Sequence, residues 1–347
     1  MFSIDIISYM SKTNAEESVL FVILNFNGWQ ETLTCIDAVL GQSYGNFHIL
    51  LIDNGSADES LEQLKSFDNH KKITFIKNPE NLGFSGGVNI GINYAIKNHY
   101  EYTALLNNDA VVTKDWLKIL VNTLETKKAS VATGLLLSGD GKRIESTGDS
   151  FSSFGLPFPR QRDEPTKVAA ESGYVFGGTA GASVYKTSLF EHIGLFDEKF
   201  FAYYEDTDIS YRAQLAGHKA YYEKKAVAHH DHGTTSSKIP GFTVYQTFKN
   251  LPLLLWKDIP LRLIPGTYFR FLIYYILIYI RATLRGQFFI ASKGFLRSLS
   301  LLPYALLGRR SIQKTRHVST DYLRSITHKG LPPSNKQTLN KFLGRPM

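Results

Sequence analysis

Glu205, Asp206 and Asp208 place three carboxylates within four positions, directly after the aromatic run Phe200, Phe201, Tyr203 and Tyr204. Like charges this close repel, so such a cluster persists where a cation, a donor or a substrate offsets it. A carboxylate held against apolar surface also has a raised pKa, which suits a general base. The same residues would serve the first turn of a helix, where Asp and Glu oppose the helix dipole. The segment alone leaves both readings open.

The elements that would position it are legible upstream. Residues 18–25 form an apolar run ending in polar residues, the pattern of a strand buried on both faces. Residues 47–52, 72–77 and 102–106 repeat it, and the intervening 28–40, 58–67 and 85–97 have helical spacing. The alternation predicts an α/β fold with a mostly parallel, twisted sheet covered by helices on both faces. In such sheets a ligand lies at the carboxyl ends of the strands. Those ends carry Asn25 and Asn27, then Asp53 to Ser56, then Asn78 and Asn81, then Asn107, Asn108 and Asp109. Each group alone is also ordinary turn chemistry. Four on one edge point to a site. Farther on, 139–171 reads as an irregular excursion over that edge. Gly177, Gly178 and Gly181 would let a ligand approach closely, or mark a bulge. His229, His230 and His232 follow a last apolar strand.

Composition divides the chain. The net charge is +8, yet residues 257–347 hold 16 Lys and Arg against Asp258 and Asp321, leaving the remainder mildly acidic. A basic segment needs an anionic partner. Its aromatics sit inside aliphatic runs, unlike a base-stacking groove, so no nucleic acid is expected. The longest run free of charge there, residues 271–280, is ten residues, against the roughly 20 of a membrane span. Apolar runs broken by Arg270, Arg281, Arg285, Lys293 and Arg297 fit helices lying on an anionic membrane surface, or a buried core helix. The reading divides the chain into an N-terminal extension (1–17), a catalytic domain (18–250), an amphipathic membrane-interface region (251–310) and a flexible basic tail (311–347). The single Cys35 excludes an internal disulfide and fits a reducing compartment, and the first 14 residues lack a secretory pattern. The expected location is therefore cytoplasmic, peripheral on the inner face of the cell membrane.

The motifs together resemble the inverting family 2 glycosyltransferases of GT-A fold, and within them the bacterial rhamnosyltransferase group. The resemblance rests on the segments beginning Leu24-Asn25-Phe26-Asn27, Asp53-Asn54-Gly55-Ser56, Asn81-Leu82-Gly83-Phe84, Asn107-Asn108-Asp109, Gly194-Leu195-Phe196-Asp197 and Glu205-Asp206-Thr207-Asp208, in that order. It implies transfer of a sugar, rhamnose by likeness to that group, from a dTDP- or UDP-linked donor to a glycan or lipid-linked acceptor. Under it, Asp206 is the general base and Glu205 positions the acceptor. Asn25, Asn27, Asp53, Asn81, Gly83, Asn107 and Asn108 line the nucleotide sugar. Asp109 and His230 hold Mn²⁺ or Mg²⁺, with His232 the competing ligand. Gly178, Asp208 and His232 lie toward the acceptor, Asp208 also reaching Arg212 one helical turn on. The first position of the family's Asp-x-Asp motif is Asn107 here, one formal charge fewer at the cation. Two rival readings are a nucleotide-sugar-binding protein with weak or no catalysis, and transfer onto a protein acceptor.

Overall fold

A computed structural model describes residues 17–230 and 239–342. Its strands are β1 (Val19–Asn25), β2 (Phe47–Asp53), β3 (Ile73–Lys77), β4 (Tyr102–Asn107), β5 (Ala110–Val112), β6 (Val131–Ser138), β7 (Ile144–Ser146), β8 (Asp149–Phe151), β9 (Pro157–Pro159), β10 (Gly173–Val175), β11 (Ala182–Lys186) and β12 (Ala220–His230). The helices are α1 (Trp29–Leu40), α2 (Ser60–Gln63), α3 (Gly83–Lys97), α4 (Trp116–Thr126), α5 (Thr187–Ile193) and α6 (Glu205–Leu215). A second set follows: α7 (Phe242–Asp258), α8 (Ile264–Leu284), α9 (Phe288–Ser300), α10 (Leu302–Lys314), α11 (Thr320–Ile326) and α12 (Pro333–Phe342).

The main sheet runs β10–β12–β6–β11–β4–β1–β2–β3, with β5 on β12 and β7 on β6. Strands β3, β2, β1 and β4 are parallel, as their helical connections require. The other half is mixed: β11 is antiparallel to both β4 and β6, while β12 is parallel to β6. A parallel neighbour needs a long crossover, usually a helix. The chain between β6 and β11 instead forms short strands and one 3₁₀ turn, and β11 returns antiparallel. Side chains alternate between faces. Phe21 and Ile23 pack in the core that holds Ile36 of α1 and Trp116 of α4; Leu20 and Val22 pack with Ile92 of α3 and Ile209 of α6.

Register gathers the polar strand ends. Asn25 lies opposite Asp53, Leu24 opposite Asn107, and His230 opposite Ala110, the residue after Asp109. Four strands thus deliver their terminal side chains to one edge of the sheet.

The C-terminal helices are part of the same body. Helix α7 runs through the expected boundary at 250/251 despite Pro252, which lacks the N–H that would reach the Phe248 carbonyl four residues back. The Tyr275 hydroxyl of α8 donates to that carbonyl at 2.8 Å instead. Phe248, Leu251 and Leu254 of α7, with Phe271 and Tyr275 of α8, share a core with Phe151, Phe176, Phe200 and Tyr211. The expected flexible tail is folded as far as Phe342: Leu323 of α11 is buried, and the His328 amide donates to the Phe151 carbonyl at 2.8 Å. The segment Leu261–Leu284 is, by length and composition, long and apolar enough to cross a membrane, unlike the ten-residue run read from sequence. One face of α8 is nevertheless occupied, with Phe271, Tyr274 and Tyr275 buried, while Ile273, Ile276, Ile280 and Leu284 are exposed.

Candidate active site

Two carboxylate-bearing centres meet at the polar edge. In the first, the β5–β12 pairing sets His230 beside Asp109. His230 Nε2 lies 2.9 Å from Asp109 Oδ1, and its Nδ1 lies 2.8 Å from Glu145 Oε2. Asn107 Nδ2 is 3.2 Å from the same Nε2. Burial works against the charged imidazole, but the hydrogen bonds and charges of Asp109 and Glu145 outweigh it and push the pKa up to about 10. Glu145, on the short strand β7, was not among the residues singled out from sequence. A carboxylate on the second ring nitrogen is how metal-binding histidines are commonly oriented.

The second centre is the start of α6. Asp206 is partly exposed, its Oδ1 accepting from the Thr207 amide at 2.7 Å and Thr207 Oγ1 at 3.3 Å. Burial raises its pKa against those hydrogen bonds. Glu205 is buried, and desolvation together with the Asp206 charge pushes its pKa up to about 8. That shift favours its protonated form near pH 7, and among the described residues its Oε2 is buried without a hydrogen-bond partner. Asp149, at the start of β8, also titrates well above the usual carboxylate range because of burial and Asp206. Glu145 on β7 and Asp149 on β8 flank residues 147–148, so one short segment bears on both centres, Glu145 by its bond to His230 and Asp149 by the charge interaction with Asp206.

The loop before α6 is held in an unusual shape. Phe201, Tyr203 and Tyr204 have φ of 65°, 67° and 73°, a left-handed region that costs each of order 1–3 kcal/mol. Helix α7 enforces it. Fully buried Asn250 donates to the carbonyls of Phe200, Ala202 and Tyr203 at 3.0, 3.0 and 2.8 Å, and Lys249 Nζ to that of Phe200 at 3.0 Å. From below, Ser85 N donates to Phe201 O at 3.2 Å, and a Cβ on Gly83 would lie 2.5 Å from that oxygen. Gly83 has φ +72°, and its lack of a Cβ makes room for the loop before α6. Gly83 N is bound to Asn81 Oδ1 at 2.8 Å and Leu82 N to Asn54 Oδ1 at 3.2 Å, so these amides, like that of Ser85, already have protein partners.

Other residues chosen from sequence brace rather than face the edge. Asn25 and Asp53 are fully buried and bonded to each other at 2.7 Å; Ser56 and Thr32 occupy their remaining groups. Asn27 Oδ1 accepts from Ala57 N at 2.8 Å, and Asn108 Nδ2 donates to Thr32 Oγ1 at 3.0 Å. Gly178, expected toward the acceptor, faces the protein interior. It is buried against the sheet, where a Cβ would lie 2.7 Å from Ser183 Oγ. Asp208 is likewise not an acceptor contact: it is fully buried, bound to Arg212 at 2.6 Å and to Lys257. Its charge is held below the usual carboxylate range by Arg212 and Lys257 in spite of burial. The i,i+4 pairing expected from sequence is present. His232 lies outside the described residues.

Asp109 and His230 offer a carboxylate oxygen and an imidazole nitrogen at one point, two groups that could contribute to holding a divalent cation such as Mn²⁺ or Mg²⁺. Among the described residues, no group of three or more His, Cys, Asp or Glu is arranged to hold a metal ion by itself.

Residues 20–194 match the family model described as Glycosyl transferase family 2. The rhamnosyltransferase WbbL of Escherichia coli is 26% identical, the match covering 59% of this chain and 92% of WbbL. The low-salt glycan biosynthesis hexosyltransferase Agl10 of Haloferax volcanii is 25% identical, over 57% of this chain and 62% of its own length, so less than two thirds of that relative is spanned. Among solved structures, GalNAc-T7 with UDP, GalNAc and Mn²⁺ aligns with TM-score 0.57 at 19% identity, over 71% of this chain and 49% of that one. The Pyrobaculum calidifontis mannosyltransferase PcManGT with GDP-Man and Mn²⁺ aligns with TM-score 0.53 at 12% identity, over 95% of this chain and 81% of that one. These two show a shared fold, and the family match, which takes in about half of the sequence and both β1 and Asp109, shows that the chain belongs to glycosyl transferase family 2.

Proposed function

We propose that the protein is an inverting glycosyltransferase of cell-surface glycan synthesis, moving a sugar from a nucleotide-diphosphate donor to a hydroxyl of a glycan or lipid-linked acceptor. The observation that carries this reading is the His230 centre, where Asp109 and Glu145 flank the ring on a sheet edge shared with the polar strand ends, with the Glu145 segment also carrying Asp149, whose charge interacts with Asp206. One centre suits a departing diphosphate and the other an incoming hydroxyl. Rhamnose from its dTDP or UDP form is the proposed sugar, on the likeness to WbbL.

In this reading Asp206 takes the acceptor proton as the oxygen attacks the anomeric carbon. Neutral Glu205 has an O–H to offer an acceptor oxygen, and the strained loop fixes the angle of both. A divalent cation at Asp109 and His230, when bound, would offset the charge that develops on the leaving phosphates. Glu145 orients the His230 ring from behind. Calorimetry of Mn²⁺-dependent binding of a nucleoside diphosphate tests this part. Asp109→Ala and His230→Ala should abolish the metal-dependent component, and Glu145→Gln should weaken it by about 10- to 100-fold. Equal binding by all three variants, or full transfer activity in excess EDTA, would remove the metal from the account.

We also place the protein on the cytoplasmic face of the cell membrane. The exposed stripe Ile273, Ile276, Ile280 and Leu284, continued by Phe289 and Leu296 of α9, is accompanied by Arg281, Arg285, Lys293 and Arg297. The other face of α8 is packed on α7, which favours a helix lying in the interface over one that crosses it. Each basic group near an anionic surface contributes about 1 kcal/mol, screened by salt. Flotation with phosphatidylglycerol vesicles should show binding that weakens as salt rises. Binding that survives both high salt and alkaline carbonate would instead mark α8 as a span.

A further inference from the structure

We propose that the cavity between α7 and the C-terminal end of α8 binds the phosphorylated head of a long-chain amphiphile, and that this molecule presents the acceptor hydroxyl; the second clause rests on the transferase reading above. The cavity measures about 280 Å³. That is near the lower end of small-molecule pockets, about 300–1,000 Å³, and suits a headgroup with the first carbons of a chain. Arg281 and Arg285 both line it, and no acidic side chain does. Among the described residues neither guanidinium has a hydrogen-bond or ion-pair partner. Two cations in one cavity without a counter-charge repel each other, and an anion relieves that repulsion. The guanidinium fork matches phosphate oxygens in two-point geometry.

The remaining walls select for more than an inorganic ion. Leu251 and Ile278 supply apolar surface, and Tyr204 and Thr247 supply hydroxyls, their oxygens 3.4 Å apart. Tyr204 is also the residue immediately before Glu205 and Asp206, so a head bound here lies against the loop that carries the base. Exposed Ile280 and Leu284 neighbour Arg281 and the C-cap Arg285 at the C-terminal end of α8, apolar surface available to the chain of such a ligand. A cavity that carries two guanidinium groups and apolar wall residues, beside a helix whose outer face exposes Ile280 and Leu284, matches one ligand chemistry: a phosphate or diphosphate joined to a hydrocarbon.

Calorimetry on the full chain, without divalent cation, tests the site with farnesyl diphosphate, farnesol and inorganic pyrophosphate as probes. Farnesyl diphosphate should bind most tightly, and Arg281→Gln/Arg285→Gln should weaken it by about tenfold or more, as expected for lost charge-assisted hydrogen bonds. The melting temperature of that variant should match the parent, since both side chains are exposed and unbonded. Unchanged farnesyl diphosphate affinity in the variant overturns the site. Equal binding of farnesol overturns the role of the arginines, and equal binding of pyrophosphate overturns the amphiphile. Mn²⁺-dependent binding of a nucleoside diphosphate, measured on the same samples, separates the two proposals. Its absence from the parent protein, with arginine-dependent binding of farnesyl diphosphate retained, sinks the transferase reading and leaves the cavity assignment standing.

Discussion

Asp206→Asn is expected to slow sugar transfer by about 10²- to 10⁴-fold, the usual loss when a positioned general base is removed, with donor binding left nearly intact. The substitution keeps the shape and the hydrogen-bond acceptor that serves Thr207, so the first turn of α6 should persist. What disappears is the group able to take the acceptor proton. The pH profile gives a second check. A base acts when ionised, so the rate should climb with pH, and burial places the acid limb above the ordinary Asp range of about 4. Glu205 and Asp149 titrate close by and are coupled to Asp206, so the limb belongs to the cluster rather than to one residue. Turnover within a factor of a few of the parent, with an unshifted limb, would remove Asp206 from the role.

The second large effect concerns stability. Lys257 of α7 sits between Asp197 at 2.6 Å and Asp208, all three nearly inaccessible to solvent. Arg212 completes the network on Asp208, and the Tyr304 hydroxyl of α10 donates to Asp197 at 2.9 Å. These contacts fasten the C-terminal helices to α6 and to the loop before it. Lys257→Met would leave buried carboxylates short of a cation, a change that typically costs about 3–5 kcal/mol. Urea melts should show that loss. Pairing Lys257→Met with Asp208→Asn should recover part of it, because the two substitutions remove both ends of one interaction. A midpoint unchanged by Lys257→Met would mean that the helices are held by apolar packing alone.

The parts of the fold set by local pattern were legible in the residues. The runs ending at Asn25, Asp53 and Asn107 read as buried parallel strands because each is apolar on both faces, and their polar ends marked the site edge. The antiparallel entry of β11 was not legible, since strand direction depends on how the irregular 139–181 segment folds. The carboxylates of Glu205 and Asp206 stood out by their spacing. Glu145, Asp149 and Asn250 did not, because nothing near them in sequence shows that they reach His230, Asp206 and the carbonyls of the 200–204 loop. Asn250 in particular lies where the sequence suggests a domain boundary, yet it sits inside α7. Asp53 and Gly178 were assigned to ligands because polar and small residues at strand ends serve both sites and turns. In the fold Asp53 is sealed against Asn25, and Gly178 against Ser183. The flexible tail was read from charge, which says nothing of the buried Leu323 that holds α11 in place.

Nucleoside diphosphate release by the full chain, assayed across UDP-, dTDP- and GDP-linked sugars with Mn²⁺ or with EDTA and in the presence of a total lipid extract, tests the transferase reading most directly. Metal-dependent release from at least one donor, lost on Asp206→Asn while that donor still binds, is the expected result. No release from any donor, or equal release by the Asp206→Asn protein, would contradict it.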